Sequence, residues 1–434
     1  MAEMQQTPLA TNDPIVATAG WPRRYTVVVL FALATALCYI DRVNISIAII
    51  PLALDKGYDP AARGLILSAF FWGYLWPQMI GGWIADRLGG KRVLAVGVAL
   101  WSLATFLTPS AASISFGTLL FMRAMLGVGE ALNFPAVHSL AARWTIASER
   151  ARAISLHFSG TAFGTIIALL LSPLIVIHLG WPAVFYLSGA SGIIWLVAWW
   201  IKAADSPEAC ADLTAAELAL IKAGRPDLPL AEAIPWRQIF SEKAVWAIVI
   251  AHLCNNFGFY ILLLWLPSYL HHTFAIPMER LGHLAVIPYV AAFTMQNLSG
   301  WFADWLHRRG MNLGAVRKLM QTTGFMLGGG ALLALPAIHS AHAAVALATI
   351  SLAGTGMSTG GFVVNHIDIA PRYAGILMGL SNTFATLPGI IGVAATGFIL
   401  QTTGSFSAVF YLIAIVYAVG MVAYAALASG DRKF

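Results

Sequence analysis

The chain has 434 residues, of which 59% are hydrophobic and 10% charged, and its mean hydropathy is +0.77. A soluble domain carries roughly 25% charged residues, so this composition cannot cover a globule in water, whereas a bilayer tolerates an apolar exterior. The net charge of +6 would suit nucleic acid in a soluble protein; here the positive residues follow membrane topology, and no nucleic-acid partner is expected.

Residues 1–24 read as a short cytoplasmic tail. The first 20 have no basic start, no apolar run of signal-peptide length and no Arg-rich transit character. Twelve segments then have the length and apolarity of spanning helices, which need about 20 residues each: 25–50, 64–84, 93–112, 114–141, 153–178, 183–201, 244–270, 281–305, 316–338, 343–364, 375–400 and 407–427. The stretch 203–243 is polar, of mixed charge, and holds Pro207, Pro226, Pro229 and Pro235. It reads as a cytoplasmic linker between a six-helix bundle over 25–202 and a second over 244–428, followed by a tail over 429–434.

Placing both termini in the cytoplasm puts 20 of the 25 Lys and Arg residues on that side. The opposite side holds Lys56, Arg63 and Arg280, and Arg42 and Arg123 lie inside spans. That asymmetry follows the positive-inside rule. The expectation is a multi-pass protein of the cell (inner) membrane. Cys38, Cys210 and Cys254 form no paired framework, and no disulfide is inferred.

The halves echo each other. Gly82-Trp83-Ile84-Ala85-Asp86-Arg87-Leu88 returns 218 residues later as Gly300-Trp301-Phe302-Ala303-Asp304-Trp305-Leu306, with five of seven positions identical. Glu149-Arg150-Ala151-Arg152 and Pro371-Arg372-Tyr373-Ala374 stand at matching places before the fifth and eleventh segments. An internal repeat of this kind points to a transporter of two rocking bundles with the site between them. The fold class expected is therefore all-α: twelve transmembrane helices in two pseudo-symmetric bundles.

The stretch GWIADRLGGKR at 82–92 resembles the loop signature between helices 2 and 3 of the major facilitator superfamily. Four further stretches resemble its anion:cation symporter branch, which includes sialin, vesicular glutamate transporters, plant plastid phosphate transporters and bacterial sugar-acid transporters. They are Asp41-Arg42-Val43-Asn44, Phe70-Phe71-Trp72-Gly73-Tyr74, Gly127-Val128-Gly129-Glu130, and the run NHIDIAPRY at 365–373. HLCNNFGFYILLLWLPSYL at 252–270 and SNTFATLPGIIG at 381–392 are similar to the plant phosphate-type group. No long transit sequence precedes the first helix, which departs from the plastid members and favours a bacterial or processed form.

Ionisable groups inside a bilayer are costly and need an account. Four lie well inside spans: Asp41, Arg42, Arg123 and Glu130. Arg42 is the candidate anion ligand, because a guanidinium stays charged and offers a planar fork to carboxylate or phosphate; the resemblance implies the same, since the matching Arg coordinates substrate. The bland alternative is a structural Arg neutralised by Asp41 or Glu130. Asp41 and Glu130 are the candidate proton carriers: a carboxyl group in low dielectric can load a proton at accessible pH, and in the sugar-acid members the matching carboxylates take this role. Fixed ion pairing and sodium coupling stay open. Arg123 and Glu130 share a helix face about 10 Å apart, and Arg123 reads as structural.

Tyr74, Asn256, Tyr260 and Asn382 are candidates for lining the solute path, although each such residue alone is more often a packing group. Asp86, Arg87, Glu149, Arg150 and Arg152 in the first half, with Asp304, Asp368 and Arg372 in the second, form candidate gates: pairs near the cytoplasmic ends that make and break between states. Gly160 with Gly164 and Gly375 with Gly379 have the four-residue spacing of close helix contacts. Pro77, Pro135, Pro267 and Pro388 permit kinks.

Missing signals narrow the class. There is no G-x-x-x-x-G-K-[ST] loop for ATP and no H-E-x-x-H. His271-His272 lacks metal-ligand spacing, and Gly127-Val128-Gly129 sits inside a span. No catalytic residue, metal or cofactor is expected. The sequence thus reads as a secondary transporter, monomeric, moving a small anionic solute with protons or sodium. An inorganic-phosphate carrier is the alternative within the class. A non-transporting sensor on the same fold is the alternative outside it.

Overall fold

The computed structural model describes residues 21–224 and 234–434. Residues 1–20 of the tail expected over 1–24 lie outside the described residues, as do linker residues 225–233, and Arg23 and Arg24 of that expected tail already belong to the first helix. Because lipid offers backbone groups no hydrogen-bond partner, a spanning segment must satisfy its own backbone, and a helix does so. Each of the twelve expected segments is helical, and the described residues contain no strand.

The first half runs α1 (Arg23–Val43), α2 (Ile45–Lys56), α3 (Pro60–Leu88), α4 (Gly90–Ile114), α5 (Phe116–Glu130), α6 (Asn133–Trp144), α7 (Ala147–Leu179) and α8 (Trp181–Lys202). Two short linker helices follow, α9 (Ala215–Ala223) and α10 (Trp236–Ser241). The second half runs α11 (Lys243–Phe274), α12 (Met278–Arg308), α13 (Leu313–Ala334), α14 (Ala341–Met357), α15 (Val364–Ile369), α16 (Ala374–Thr403) and α17 (Ser407–Leu427). Among the described residues, eight helical stretches are long and apolar enough to cross a membrane, two of them joined across a break, α1 with α2 and α14 with α15. The fourth segment falls short because it divides into α5 and α6, of 15 and 12 residues. The second, eighth and ninth, on α3, α12 and α13, are long enough but less apolar.

Three spans are interrupted. α1 and α2 meet at Asn44, whose backbone stays helical while its side chain donates to Ser188 Oγ at 3.0 Å. α5 and α6 meet at Ala131–Leu132, directly after Glu130. α14 and α15 meet at a π-helical turn over Thr359–Val363, where Gly361 leaves helical geometry at φ −94° and ψ −109°. Pro77, Pro267 and Pro388 sit inside helices as expected. Pro135 instead occupies the first turn of α6, where its missing N–H breaks no helical bond.

Glycine sets the closest packing. A methyl on Gly73 of α3 would run into the Ala124 carbonyl of α5, and one on Gly127 of α5 into the Phe70 carbonyl of α3. Gly160 and Gly164 bring α7 against Ala32 and Ala36 of α1. The Gly375–Gly379 pair departs from expectation: a Cβ at either position meets nothing within 4 Å, so this face of α16 is open.

The linker clasps the first half. Glu217 of α9 accepts from the Arg23 and Arg24 backbone N–H groups, both at 3.1 Å, and so caps the start of α1 with a carboxylate. This marks the linker end of the molecule. At the far end, the halves are joined by Arg63 of α3, which donates to Ser268 Oγ of α11 at 2.8 Å, and by Gln401 of α16, which donates to Asp59 at 3.2 Å. There α3 and α16 nearly touch: a Cβ on Gly64 would stand 3.0 Å from Gly397 Cα. The far end is closed. Towards the linker end, a cleft of about 390 Å³ lies between α1, α7 and Phe293 of α12.

Gly127→Val forces α3 and α5 apart at the level of the buried charges. The expected loss is about 1–3 kcal/mol of stability, the range for overpacking, with Gly127→Ala milder. Denaturant unfolding in detergent measures it, and equal stability of both variants with wild type would remove this contact from the account.

Candidate functional site

The buried charges expected from the sequence meet at the centre of the first half. Arg42, near the end of α1, is 3% exposed, and Glu130, the last residue of α5, is fully buried. Arg42 donates from Nε at 3.0 Å and from Nη2 at 2.8 Å to the same oxygen, Glu130 Oε2. The Cys38 thiol donates to that oxygen at 3.2 Å. Glu130 Oε1 is buried with no hydrogen-bond partner.

Three aromatic rings wall the guanidinium. Its carbon lies 4.6 Å from the Tyr39 ring centroid, 4.7 Å from Phe70 and 4.8 Å from Tyr74. Cation–π contacts contribute about 0.5–2 kcal/mol each, most where water is excluded. Tyr39 precedes Arg42 by three residues, and Phe70 and Tyr74 are four apart, so helical geometry aims each set at one point. The packing of Gly73 on Ala124 and of Gly127 on Phe70 lets α3 approach closely enough for Tyr74 to reach.

Asp41 and Arg123 stand beside this pair. Asp41 is 1% exposed, and neither of its oxygens has a hydrogen-bond partner. Arg123 is equally buried, with Nε and Nη1 unpartnered. The two act on each other electrostatically without forming an ion pair. Fully ionised, Asp41, Arg42, Arg123 and Glu130 sum to zero charge.

The second half contributes polar, uncharged groups. Tyr260 of α11 packs its ring 4.6 Å from Phe71 of α3, which brings the halves together at this level, and it lies within electrostatic reach of Arg42. Asn256 donates to Tyr260 Oη at 3.3 Å and to the Ala385 carbonyl at 3.2 Å. Asn382 is half-buried on α16, and its carbonyl accepts from Thr386. Arg42, Tyr74, Tyr260 and Asn256 thus converge, while Asn382 stands on the neighbouring helix.

The gate candidates take another arrangement. Glu149 receives Arg24 Nε and Nη2 at 2.9 and 3.1 Å and the Tyr25 hydroxyl at 2.7 Å. Asp368 receives Arg317 Nε at 2.6 Å and Nη2 at 3.3 Å. Both carboxylates therefore bond within their own half. Arg150 donates to the carbonyls of Ala142 and Thr145, at 3.3 and 3.5 Å. Arg87 lies 4.3 Å from the Trp83 ring. Arg152, Asp304 and Arg372 are exposed, and the Asp86 side chain lies outside the described residues. Arg24 and Arg317, taken from the sequence only as topological charges, are the partners that reasoning missed; both come from distant segments, and only their place near the linker end hinted at it.

The chain matches the Major Facilitator Superfamily over residues 31–393. It belongs to that superfamily. It is 42% identical over 422 residues to "Probable anion transporter 4, chloroplastic" of Oryza sativa subsp. japonica, covering 97% of this chain and 71% of the relative. It is also 42% identical to "Sodium-dependent phosphate transport protein 1, chloroplastic" of Arabidopsis thaliana, over 98% of this chain and 83% of the relative. The "Ascorbate transporter, chloroplastic" of Arabidopsis thaliana is 40% identical, over 95% and 76%. These relatives agree with the anion:cation symporter resemblance of the motifs. Among solved structures, a bacterial homolog to human lysosomal transporter Spinster, inward-facing and occupied, superposes with a TM-score of 0.74 at 17% identity, over 94% of this chain and 97% of that one. The D-xylose-proton symporter gives 0.74 at 13%, over 94% and 99%. At such identities they attest the fold alone. The superfamily member described here is a multi-pass membrane transporter and not an enzyme.

Breaking a buried pair strands the remaining charge, at a cost of about 3–5 kcal/mol, whereas replacing both partners with apolar groups is often neutral. Glu130→Leu alone is expected to destabilise by that amount, and Arg42→Met together with Glu130→Leu to restore most of it. Denaturant unfolding of the full double-mutant cycle measures the coupling, and additive losses would mean that the two side chains do not depend on each other.

Proposed function

We propose that this transporter moves a small organic anion, a sugar acid or another carboxylate, by alternating access coupled to protons. Arg42 binds the anion, and Asp41 and Glu130 carry the protons. The observation that supports this best is the occupancy of Arg42. Its fork is taken by Glu130, a carboxylate lying where an anionic substrate would lie, in a water-poor cage of three rings. A proton on Glu130 would remove that competitor and leave the four-residue cluster at +1, a charge that a monoanion neutralises. Loss of the anion returns Arg42 to Glu130 and releases the proton. Anion and proton then bind together because the same guanidinium cannot serve both carboxylates.

Asp41 and Arg123 extend the cluster with unpartnered polar atoms, which suits a second protonation site. Tyr74, Tyr260, Asn256 and Asn382 supply hydroxyl and amide contacts for the rest of the solute. The linker-end pairs Arg24–Glu149 and Arg317–Asp368 act as joints that must hold or yield as the halves rock, with Asp86, Arg87, Arg150, Arg152, Asp304 and Arg372 around them. The reading keeps the linker and both termini cytoplasmic in an inner membrane, by charge asymmetry, and the molecule monomeric. The relative named as an ascorbate transporter supports an organic anion. The one named as a sodium-dependent phosphate transport protein supports a second reading, in which phosphate moves with sodium or protons through the same Arg42.

Proteoliposomes with an inward proton gradient decide between them. Labelled phosphate, ascorbate, galactonate, gluconate, glucuronate and glutamate are offered with and without sodium, using wild type, Arg42→Ala and Glu130→Gln. One organic anion is expected to accumulate with the proton gradient alone. Arg42→Ala should abolish it, and Glu130→Gln should lose accumulation yet keep exchange of anion across the membrane at equal pH. Sodium-driven phosphate uptake that Glu130→Gln leaves intact would replace the first reading with the second.

A further inference from the structure

Arg63 is an anomaly at the closed far end. It is one of only three Lys or Arg residues the charge asymmetry puts there, yet it is 7% exposed. Its Nη2 donates to the Ser268 hydroxyl at 2.8 Å across the junction between halves, and its guanidinium carbon lies 5.6 Å from the Trp265 ring centroid. Its Nε is buried with no partner. Among the described residues, no carboxylate lies within ion-pair distance of it. Asp59, one helical turn earlier, is turned away: Oδ1 accepts from the Ala62 backbone N–H and Oδ2 from Gln401. His272, one turn beyond Ser268 on α11, acts on the same charge as a second basic group.

A buried charge without a counter-charge is costly, and a hydroxyl and one ring offset only part of that cost. Arg42 has a resident carboxylate; Arg63 has none. The junction that buries Arg63 is also the one that must part when the far end opens. Opening breaks the Arg63–Ser268 bond and presents a free guanidinium, beside His272, to whatever comes from that side. Opening also parts Asp59 from Gln401, but Asp59 Oδ1 stays on the Ala62 N–H as the cap of α3, and the guanidinium is the group that attracts an anion there.

We propose that Arg63 is an anion-capture site of the far-end-open state, separate from Arg42: it holds a small oxyanion or carboxylate from solution before the halves close, and gives it up when Ser268 retakes the guanidinium. The site borrows the alternating-access motion of the function proposed above, but not its substrate. Because the anion binds only while the junction is open, it must shift the population towards far-end-open. Closure re-buries Arg63 and expels the anion inwards or back.

The test reads that shift directly and needs no transport. Spin labels are placed at the exposed positions Leu54 and Thr402, one on each half at the far end, with Cys210→Ser to remove the accessible native thiol (Cys38 and Cys254 are buried). Distances are measured in nanodiscs as inorganic phosphate is raised, against chloride at equal ionic strength. In wild type, phosphate is expected to raise the far-end-open fraction several-fold. Arg63→Gln abolishes the phosphate response, and Arg63→Lys keeps most of it. An equal shift in wild type and Arg63→Gln, or none in either, overturns the proposal. A wild-type response that appears only when phosphatidylglycerol is added to phosphatidylcholine assigns Arg63 to a lipid headgroup instead, and also overturns it. A normal phosphate response in a protein that moves no labelled anion would sink the transport reading and leave this site standing.

Discussion

A guanidinium in a bilayer has no water to balance it, so Arg42 must find its counter-charge within the chain. Much of the first half is arranged around that need. Two glycines, Gly73 and Gly127, let α3 and α5 meet backbone to backbone. That approach sets Phe70 and Tyr74 against the cation from one side, while Glu130 reaches it from the last turn of α5. The chain leaves regular helix directly after Glu130, at Ala131–Leu132. The interruption lies where a change in the charge of one carboxylate would be felt first.

The two halves contribute unequally to the buried centre. All four deeply buried charges at the centre belong to the first half, whereas the second supplies Tyr260, Asn256 and a network of neutral side chains. In that network Ser381 bridges His252 and His366 at 3.0 and 2.8 Å, and His366 Nδ1 lies 3.0 Å from the Val363 carbonyl at the end of the π-helical turn. A carbonyl only accepts, so Nδ1 must carry a proton, and the network ties α11 and α16 to the break in the tenth span. On the proposed reading the first half holds the charge of the solute, and the second reads its shape and carries the bend.

The spans were legible in the sequence because lipid imposes one rule on every residue that crosses it, and hydropathy records that rule directly. Asp41, Arg42 and Glu130 were legible for the same reason inverted: a charge inside a span stands out. Their pairing was not. Arg42 and Glu130 are 88 residues apart, and periodicity along one helix says nothing of which face of another it meets. Tyr39 was within reach of the sequence, three residues before Arg42, but an aromatic in a span is usually packing. Arg24, Arg317 and Arg63 were hidden by a sound explanation: the positive-inside rule accounts for a basic residue's side without asking what it touches. Gly375 and Gly379 have contact spacing yet face open space, because spacing gives only the capacity for approach and the state of the molecule decides whether it is used.

Arg42 and Arg63 make a physical contrast that motif reading alone would miss. Both are buried, and both lie against aromatic rings. Arg42 keeps its charge balanced through Glu130, so its burial is tolerable whichever end is closed. Arg63 bridges the halves, and its burial depends on the far end being shut. A fixed internal pair makes Arg42 sensitive to protonation. A cross-half bond to a neutral hydroxyl makes Arg63 sensitive to conformation. On the proposed reading one cation responds to the proton and the other to the gate, and a transporter that links the two has reason to hold both.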